Sequence, residues 1–265
     1  MRIVISSVDL FLNLTKQGNN MSKTPKGLLY DLETSYTLNL TFGQYPESIS
    51  HTNIVEDWHI HCASWKWLGE EKVYSAVEKN RDDKNICIPL HKAFCEADFV
   101  ITHNGVKFDN KKLHTRIIAH GLDPLPTIPN VDTLKEARSI AAFSSNRLDY
   151  IGEYLGVGRK LHNSPNLWRK AFFGDKKALK EMLEYNKQDV LLLEEIYTEL
   201  LPYMKNHPNF NSIMGTEDNC PKCGSSDLTK RGFSITRTGR KQRYQCANCG
   251  SWSESSKSDH ITKVR

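Results

Sequence analysis

The chain has no apolar run long enough to cross a membrane. Its N-terminal apolar residues, Ile3, Val4, Ile5, Val8, Leu10, Phe11, Leu12 and Leu14, are interrupted by Ser6, Ser7, Asp9 and Asn13, whereas a spanning helix needs about 20 predominantly apolar residues. The same stretch does not make an export signal. Met21-Ser22-Lys23 reads as a natural start, so residues 1–21 are expected to be an extension, to which no function is assigned. Excess positive charge is lacking over most of the length. Of 36 lysines and arginines ten fall in residues 220–265, against three of the 31 acids, which leaves residues 1–219 slightly acidic. The charge suited to gripping phosphates is therefore concentrated in the tail. Cysteine is sparse too: Cys62, Cys87 and Cys95 are scattered and read as small buried hydrophobes. With three unpaired thiols and no export signal, a disulfide-braced secreted protein does not fit. An intracellular protein without membrane contact is expected.

Against these absences stand four acids. Asp31 and Glu33 end the apolar run Gly27-Leu28-Leu29-Tyr30-Asp31-Leu32-Glu33-Thr34, and strand alternation points both carboxylates to one side. Asp109 follows a second apolar run through Phe99-Val100-Ile101. Asp189 lies in a long helical pattern one turn after Tyr185. Taken singly, each has a plain reading: a solvated strand end, a helix N-cap, a surface position on an amphipathic helix. Their conjunction, in order and on the expected elements, points elsewhere, because clustered carboxylates are costly unless a hard divalent cation neutralises them.

These residues resemble the DEDD exonucleases of the ribonuclease H-like superfamily, most closely the tyrosine branch that includes the proofreading domains of family B DNA polymerases. The resemblance covers roughly residues 27–204. Asp-x-Glu matches Asp31 and Glu33, Asn-Gly-x-x-Phe-Asp matches Asn104, Gly105, Phe108 and Asp109, and Tyr-x-x-x-Asp matches Tyr185 and Asp189. The histidine that marks the other branch would stand at Glu184. The resemblance implies a mixed α/β sheet flanked by helices and two Mg²⁺ or Mn²⁺ ions. Asp31, Glu33 and Asp189 would share the first ion, Asp31 would bridge to the second, and Asp109 would hold that one through water. Tyr185 would orient the attacking water, a role favoured over general base because a phenol ordinarily titrates near 10. It further implies 3′→5′ hydrolysis of DNA, and with no polymerase following, a stand-alone nuclease. RNA trimming is the nearer alternative. A non-catalytic nucleic-acid-binding accessory is the more distant one. A transposase or integrase fits less well, since those use fewer acids and lack the Tyr-x-x-x-Asp helix.

Two segments are candidates for substrate contact. Asn104 and Phe108 surround Asp109, where an aromatic ring either stacks on a frayed base or packs in the core. Trp168, among Arg169 and Lys170, either lines the strand's path or packs. His59 and His61 share one side of a strand but lack a third ligand. His103 and Asp132 read as structural.

Cys220, Cys223, Cys246 and Cys249 have the number and spacing of a tetrahedral Zn²⁺ site, each pair opening into a glycine, Gly224 or Gly250. The segment is similar to the zinc ribbons of transposase-associated and transcription proteins. Between its cysteine pairs a basic hairpin carries Arg240, Lys241 and Arg243 with Phe233 and Tyr244, a surface suited to nucleic acid, or else a stabilising or protein-docking knuckle. The expected organisation is a nuclease domain over 22–206, a linker over 207–219, the ribbon over 220–252 and a flexible tail over 253–265. Such a pairing suits phage or mobile-element DNA metabolism. Oligomeric state is not legible.

Overall fold

Strand β1 (Gly27–Thr34) needs cover on both faces, and the sheet is built around it. The computed structural model describes residues 25–45 and 48–260, so the N-terminal extension lies outside the described residues. A short ribbon follows β1: among the described residues β2 (Leu38–Asn39) pairs only with β3 (Ile54–Glu56). β4 (Ile60–Trp67) then runs antiparallel to β1, and β5 (Val73–Val77) antiparallel to β4. Helix α1 (Lys84–Glu96) leads to β6 (Phe99–Thr102), parallel to β1, and α2 (Asp109–Ala119) leads to β7 (Asn130–Asp132). The result is a mixed five-stranded sheet in the order β5-β4-β1-β6-β7.

Alternation along β1 sends Leu28, Tyr30 and Leu32 to one face and Leu29, Asp31 and Glu33 to the other. Helices α1 and α2 cover the first face with Ile86, Leu90, Phe94, Leu113 and Ile117. Four helices follow β7: α3 (Thr133–Ile140), α4 (Leu148–Leu155), α5 (Leu167–Phe172) and the 25-residue α6 (Lys176–Leu200). Across the second face α6 brings Val190, Leu193, Ile196 and Tyr197 into one cluster with Leu29, Phe99 and Ile101. A strand buried on both faces reads as a continuous apolar run, which is why Asp31 and Glu33 stand out in it. No helix among the described residues is long and apolar enough to cross a membrane.

The structure departs from the sequence pattern in four places. The segment Leu38-Asn39-Leu40-Thr41-Phe42 alternates as a strand does, yet only Leu38–Asn39 forms one, outside the main sheet, and its apolar side chains lack cover: Leu40 and Phe42 stand exposed. Helix α1 begins five residues before Pro89, as Ile86 and Cys87 extend its buried face. The segment read as a linker contains α7 (Phe210–Met214), capped by Asn209. Its Phe210 is buried against Phe99, ring centroids 5.4 Å apart, and Tyr197 Oη meets His207 Nε2 at 2.7 Å. Asn and Pro there mark caps and turns, and one buried aromatic anchors the segment. Finally, β8 (Leu228–Ile235) and β9 (Gly239–Cys246) form the expected hairpin, but β10 (Trp252–Glu254) and β11 (Asp259–His260) also pair with β9, so the expected flexible tail is sheet as far as residue 260.

The four cysteines belong to the same buried cluster as Tyr197, Leu200, Leu201, Met204 and Phe210. Phe210 amide donates to Pro221 O (2.8 Å), and Lys222 Nζ to Pro202 O (2.8 Å). The cysteine sheet thus shares a core with the end of α6. Phe210→Ala should destabilise the chain by about 3–5 kcal/mol and shift the urea unfolding of both parts together. Two separate transitions in far-UV circular dichroism, with one unmoved, would contradict a shared core.

Candidate active site

Asp31, Glu33 and Asp189 each offer a carboxylate oxygen, and these oxygens lie within 4.8 Å of one another. The first two project from β1 toward α6. Asp189 projects back from the helix, one turn beyond Tyr185. Asp109 arrives differently. Strand pairing between β1 and β6 ends at Leu29 and Ile101, and beyond it Leu32 amide hydrogen-bonds the Asp109 carboxylate at the start of α2. The turn delivering Asp109 is tight: Asn104 has φ 68° and its amide donates to Asp132 Oδ1 at 2.9 Å. A Cβ on Gly105 would come 2.4 Å from Thr102 Cβ, so a side chain does not fit there. Asp109 is buried and raises the pKa of Asp31, but it stands outside the 4.8 Å group.

Each acid has a holder, and sequence reasoning did not find most of them. Asn186 Nδ2 donates to Asp31 Oδ2 (2.6 Å) and Trp168 Nε1 to Glu33 Oε2 (3.2 Å). Lys160, from the loop before α5, donates to Asp189 Oδ2 (2.5 Å) and to Tyr185 Oη (3.0 Å). Asn186 was legible only as the neighbour of Tyr185. Lys160 carried no signal, since a loop lysine is ordinarily a solvated charge.

Burial dominates the electrostatics. It pushes Asp31 far above the ordinary carboxylate range, with Asp109, Glu33 and Asp189 adding repulsion. Glu33 rises to about 8 through burial and Asp189. Asp109 rises to about 6 through burial, against the amides that hold it. Asp189 is also raised by burial, despite Lys160. Burial works against the Lys160 ammonium, but Asp189 outweighs it and holds the lysine above its usual value. Tyr185 is raised by burial and by Asp189, so its phenol keeps its proton. Asp189 Oδ1 is buried without a hydrogen-bond partner. An all-oxygen, over-negative donor set with an unpartnered oxygen fits a hard divalent cation.

The cysteine cluster fits a different ion. Cys220 and Cys249 Sγ are 3.7 Å apart, as are Cys223 and Cys246 Sγ, close to the roughly 3.8 Å tetrahedral edge set by Zn–S bonds of about 2.3 Å. Gly224 and Gly250, both at φ 76°, turn the chain back after each pair, a conformation that favours glycine.

The remaining candidates are spread out. The Phe108 ring is 42 % exposed, so it is not core; Lys112 Nζ lies 5.6 Å from its centroid and 3.6 Å from that of Trp58. Trp168 packs edge-on to Tyr185, centroids 6.0 Å apart, and its indole N–H is committed to Glu33. A groove lined by Asp149, Glu153, Arg159, Lys160 and Asn163 opens beside Tyr185. Alternation on β9 separates the three basic residues grouped by the sequence. Arg240 lies over Phe233 at 4.1 Å and 3.8 Å from Asp259 Oδ2. Lys241 and Arg243 point to the other face, where Arg243 lies 5.5 Å over Trp252.

Comparison with known proteins gives a family. The model of the RNase H superfamily matches residues 51–201. The chain is also similar to the PolC-type DNA polymerase III of Ureaplasma parvum serovar 3, 32% identical over 84 residues, which cover 32% of this chain and 5% of the polymerase. Among solved structures, the family B DNA polymerase of the archaeon Pyrobaculum calidifontis aligns with a TM-score of 0.49 at 13% identity, over 81% of this chain and 31% of the polymerase.

The raised carboxyls fix the sign of a pH effect. Their protonated forms are favoured in the folded site, so stability is present at low pH and is lost as pH rises through about 6 for Asp109 and about 8 for Glu33. With the cysteine site kept loaded with zinc and no other cation, Tm should fall between about pH 5 and about pH 8. Mg²⁺ or Mn²⁺, which binds the ionised carboxylates, should raise Tm more at the upper end. An equal gain at both ends, by scanning calorimetry, would contradict this.

Proposed function

The chain belongs to the RNase H superfamily, and on that premise we propose that it is a metal-dependent 3′→5′ exonuclease acting on DNA. The observation carrying this reading is the convergence of the Asp31, Glu33 and Asp189 carboxylates within 4.8 Å, with Tyr185 and Lys160 at their edge. Polarity and DNA preference rest on the resemblance of the three motifs.

Asp31, Glu33 and Asp189 would hold one divalent ion, and Asp31 with Asp109 a second. Two such ions supply charge at both the attacking and the leaving oxygen of an in-line phosphodiester displacement. The chain's own groups position the reactants. Asn186 and Trp168 fix the orientation of Asp31 and Glu33. Tyr185 Oη accepts from Lys160 and lies against the Asp189 carboxylate, and its raised pKa keeps its proton in place for donation. Tyr185 thereby orients the attacking water as a hydrogen-bond donor. Lys160 sets the tyrosine's direction and offsets part of the negative charge while the site awaits cations. Phe108, exposed beside Asp109, is placed to stack on a terminal base. Trp168 acts through Glu33.

Zn²⁺ held by Cys220, Cys223, Cys246 and Cys249 would brace the β9 sheet. Lys241 and Arg243, with Trp252, offer that sheet's cationic and aromatic face to a single strand. Arg240, turned to Phe233 and Asp259, contributes less than its place in the sequence suggests.

End-labelled single- and double-stranded DNA and RNA, incubated with Mg²⁺ or EDTA, test the reading: DNA should shorten from its 3′ end only with the cation. Asp31→Ala and Asp189→Ala should each lose several kcal/mol of transition-state stabilisation, a rate loss of at least about 100-fold. Tyr185→Phe should be slowed by roughly 10–100-fold, the equivalent of one hydrogen bond to a charged partner. Full activity in Asp31→Ala would sink the site assignment. For the ribbon, Lys241→Ala with Arg243→Ala should flatten the salt dependence of DNA binding by about one log–log unit per lost phosphate contact. An unchanged slope would assign that face to another partner.

A further inference from the structure

His59 and His61, which lacked a third ligand in the sequence, gain one when β4 pairs with β5. The register Cys62 to Val77 continues one step further, and Glu78 amide donates to His61 O at 2.9 Å. Glu78 Oε1 then lies 4.0 Å from His59 Nε2 and 3.9 Å from His61 Nδ1. The histidines are 3 % and 1 % exposed, and the Glu78 side chain 5 %. Both distances exceed hydrogen bonding, and one ligand atom from each of the three residues lies within 4.8 Å of the others. His59 Nε2 and both ring nitrogens of His61 are buried without a partner.

Ser35 fixes the tautomer of His59. Its hydroxyl donates its one proton to Tyr36 O (3.1 Å), which can only accept. The same oxygen accepts from His59 amide at 2.9 Å and sits 3.2 Å from His59 Nδ1. Nδ1 is therefore the N–H donor, and the Nε2 lone pair faces the Glu78 carboxylate: acceptor against acceptor in a dry place. Burial keeps both imidazoles neutral, the form that ligates metal. Glu78 itself is anchored, its Oε2 accepting from Arg81 amide at 2.5 Å. An imidazole whose far nitrogen is held by a hydroxyl while the near one points at a carboxylate has the arrangement of an oriented metal ligand. The neighbouring mixed cluster of Asp83, Cys87 and His120 differs. There Arg116 donates to both Asp83 oxygens, at 2.7 and 2.9 Å, and Ile60 amide and His120 complete the set.

We propose that His59 Nε2, His61 Nδ1 and Glu78 Oε1 form a second transition-metal site, suited to Zn²⁺, separate from the cysteine cluster and the acidic site. Two imidazoles and one carboxylate are a donor set for a borderline divalent ion rather than for Mg²⁺. Bonds of about 2.0–2.2 Å require each side chain to move by only roughly a few tenths of an ångström, and a water can take the fourth position. The ion ties Ser35, two residues beyond Glu33, to β4 and to the turn after β5.

The test uses the full chain carrying Asp31→Ala and Asp189→Ala, which silences the acidic site. Zinc per chain is measured by mass spectrometry after dialysis against ZnCl₂ and then buffer, with the first coordination shell read by X-ray absorption. Two equivalents are expected, with sulfur and nitrogen or oxygen ligands together. Glu78→Gln, close in shape, and His61→Gln should each reduce this to one equivalent with an all-sulfur shell, and Zn²⁺ should no longer raise Tm as it does in the parent. A single all-sulfur zinc in the parent, or a second zinc retained by a Glu78→Gln protein with unchanged circular dichroism, overturns the proposal. If His61→Gln does not fold, the parent stoichiometry and Glu78→Gln still decide it.

Discussion

Desolvation of clustered carboxylates is the condition around which this fold is arranged. β1 must be a central strand to position Asp31 and Glu33, and a central strand is buried on both faces, so the acids are desolvated by the element that aligns them. The surrounding groups answer that cost. Asn186 and Trp168 donate to the β1 acids, Leu32 amide to Asp109, and Lys160 to Asp189. One ammonium does not balance four carboxyls; burial raises all four, and repulsion from the other site acids adds to it at Asp31 and Glu33. A hard cation is the natural completion of such a site.

Helix α6 couples this chemistry to the C-terminal sheet. Asp189 and Tyr197 lie eight residues apart on it, about 12 Å along the axis. The first faces the acidic cluster; the second is buried with the four cysteines. One rigid element thus carries an oxygen-ligand site near its middle and rests against a sulfur-ligand site at its end. The two clusters differ in donor hardness, oxygen against sulfur, and so favour different ions.

Several elements were legible because their patterns were local. The alternation in β1, the helical period of α6 and the glycine after each cysteine pair follow from steric rules within a few residues. Leu38–Phe42 alternates over five residues but forms only two of strand, because alternation reports an apolar face and not whether anything covers it. The segment 207–219 was misread because its composition marks turns, while the burial of Phe210 depends on Phe99, more than a hundred positions away in the chain. Arg240, Lys241 and Arg243 were grouped as neighbours in sequence, and a pleated strand places neighbours on opposite faces.

The sequence by itself determined the candidate groups: four acids in order, a tyrosine one turn before the last, and four cysteines in two close pairs, all readable because residue type and short spacing encode them. Only the tertiary structure decided what those groups touch. Lys160 on Tyr185 and Asp189, Asn186 on Asp31, Trp168 on Glu33 and Glu78 facing His59 and His61 are contacts between elements remote in the chain. No local pattern specifies such pairs, because they arise from the register of β1, β4 and β5 and from the packing of α6 across the sheet, which many side chains fix jointly.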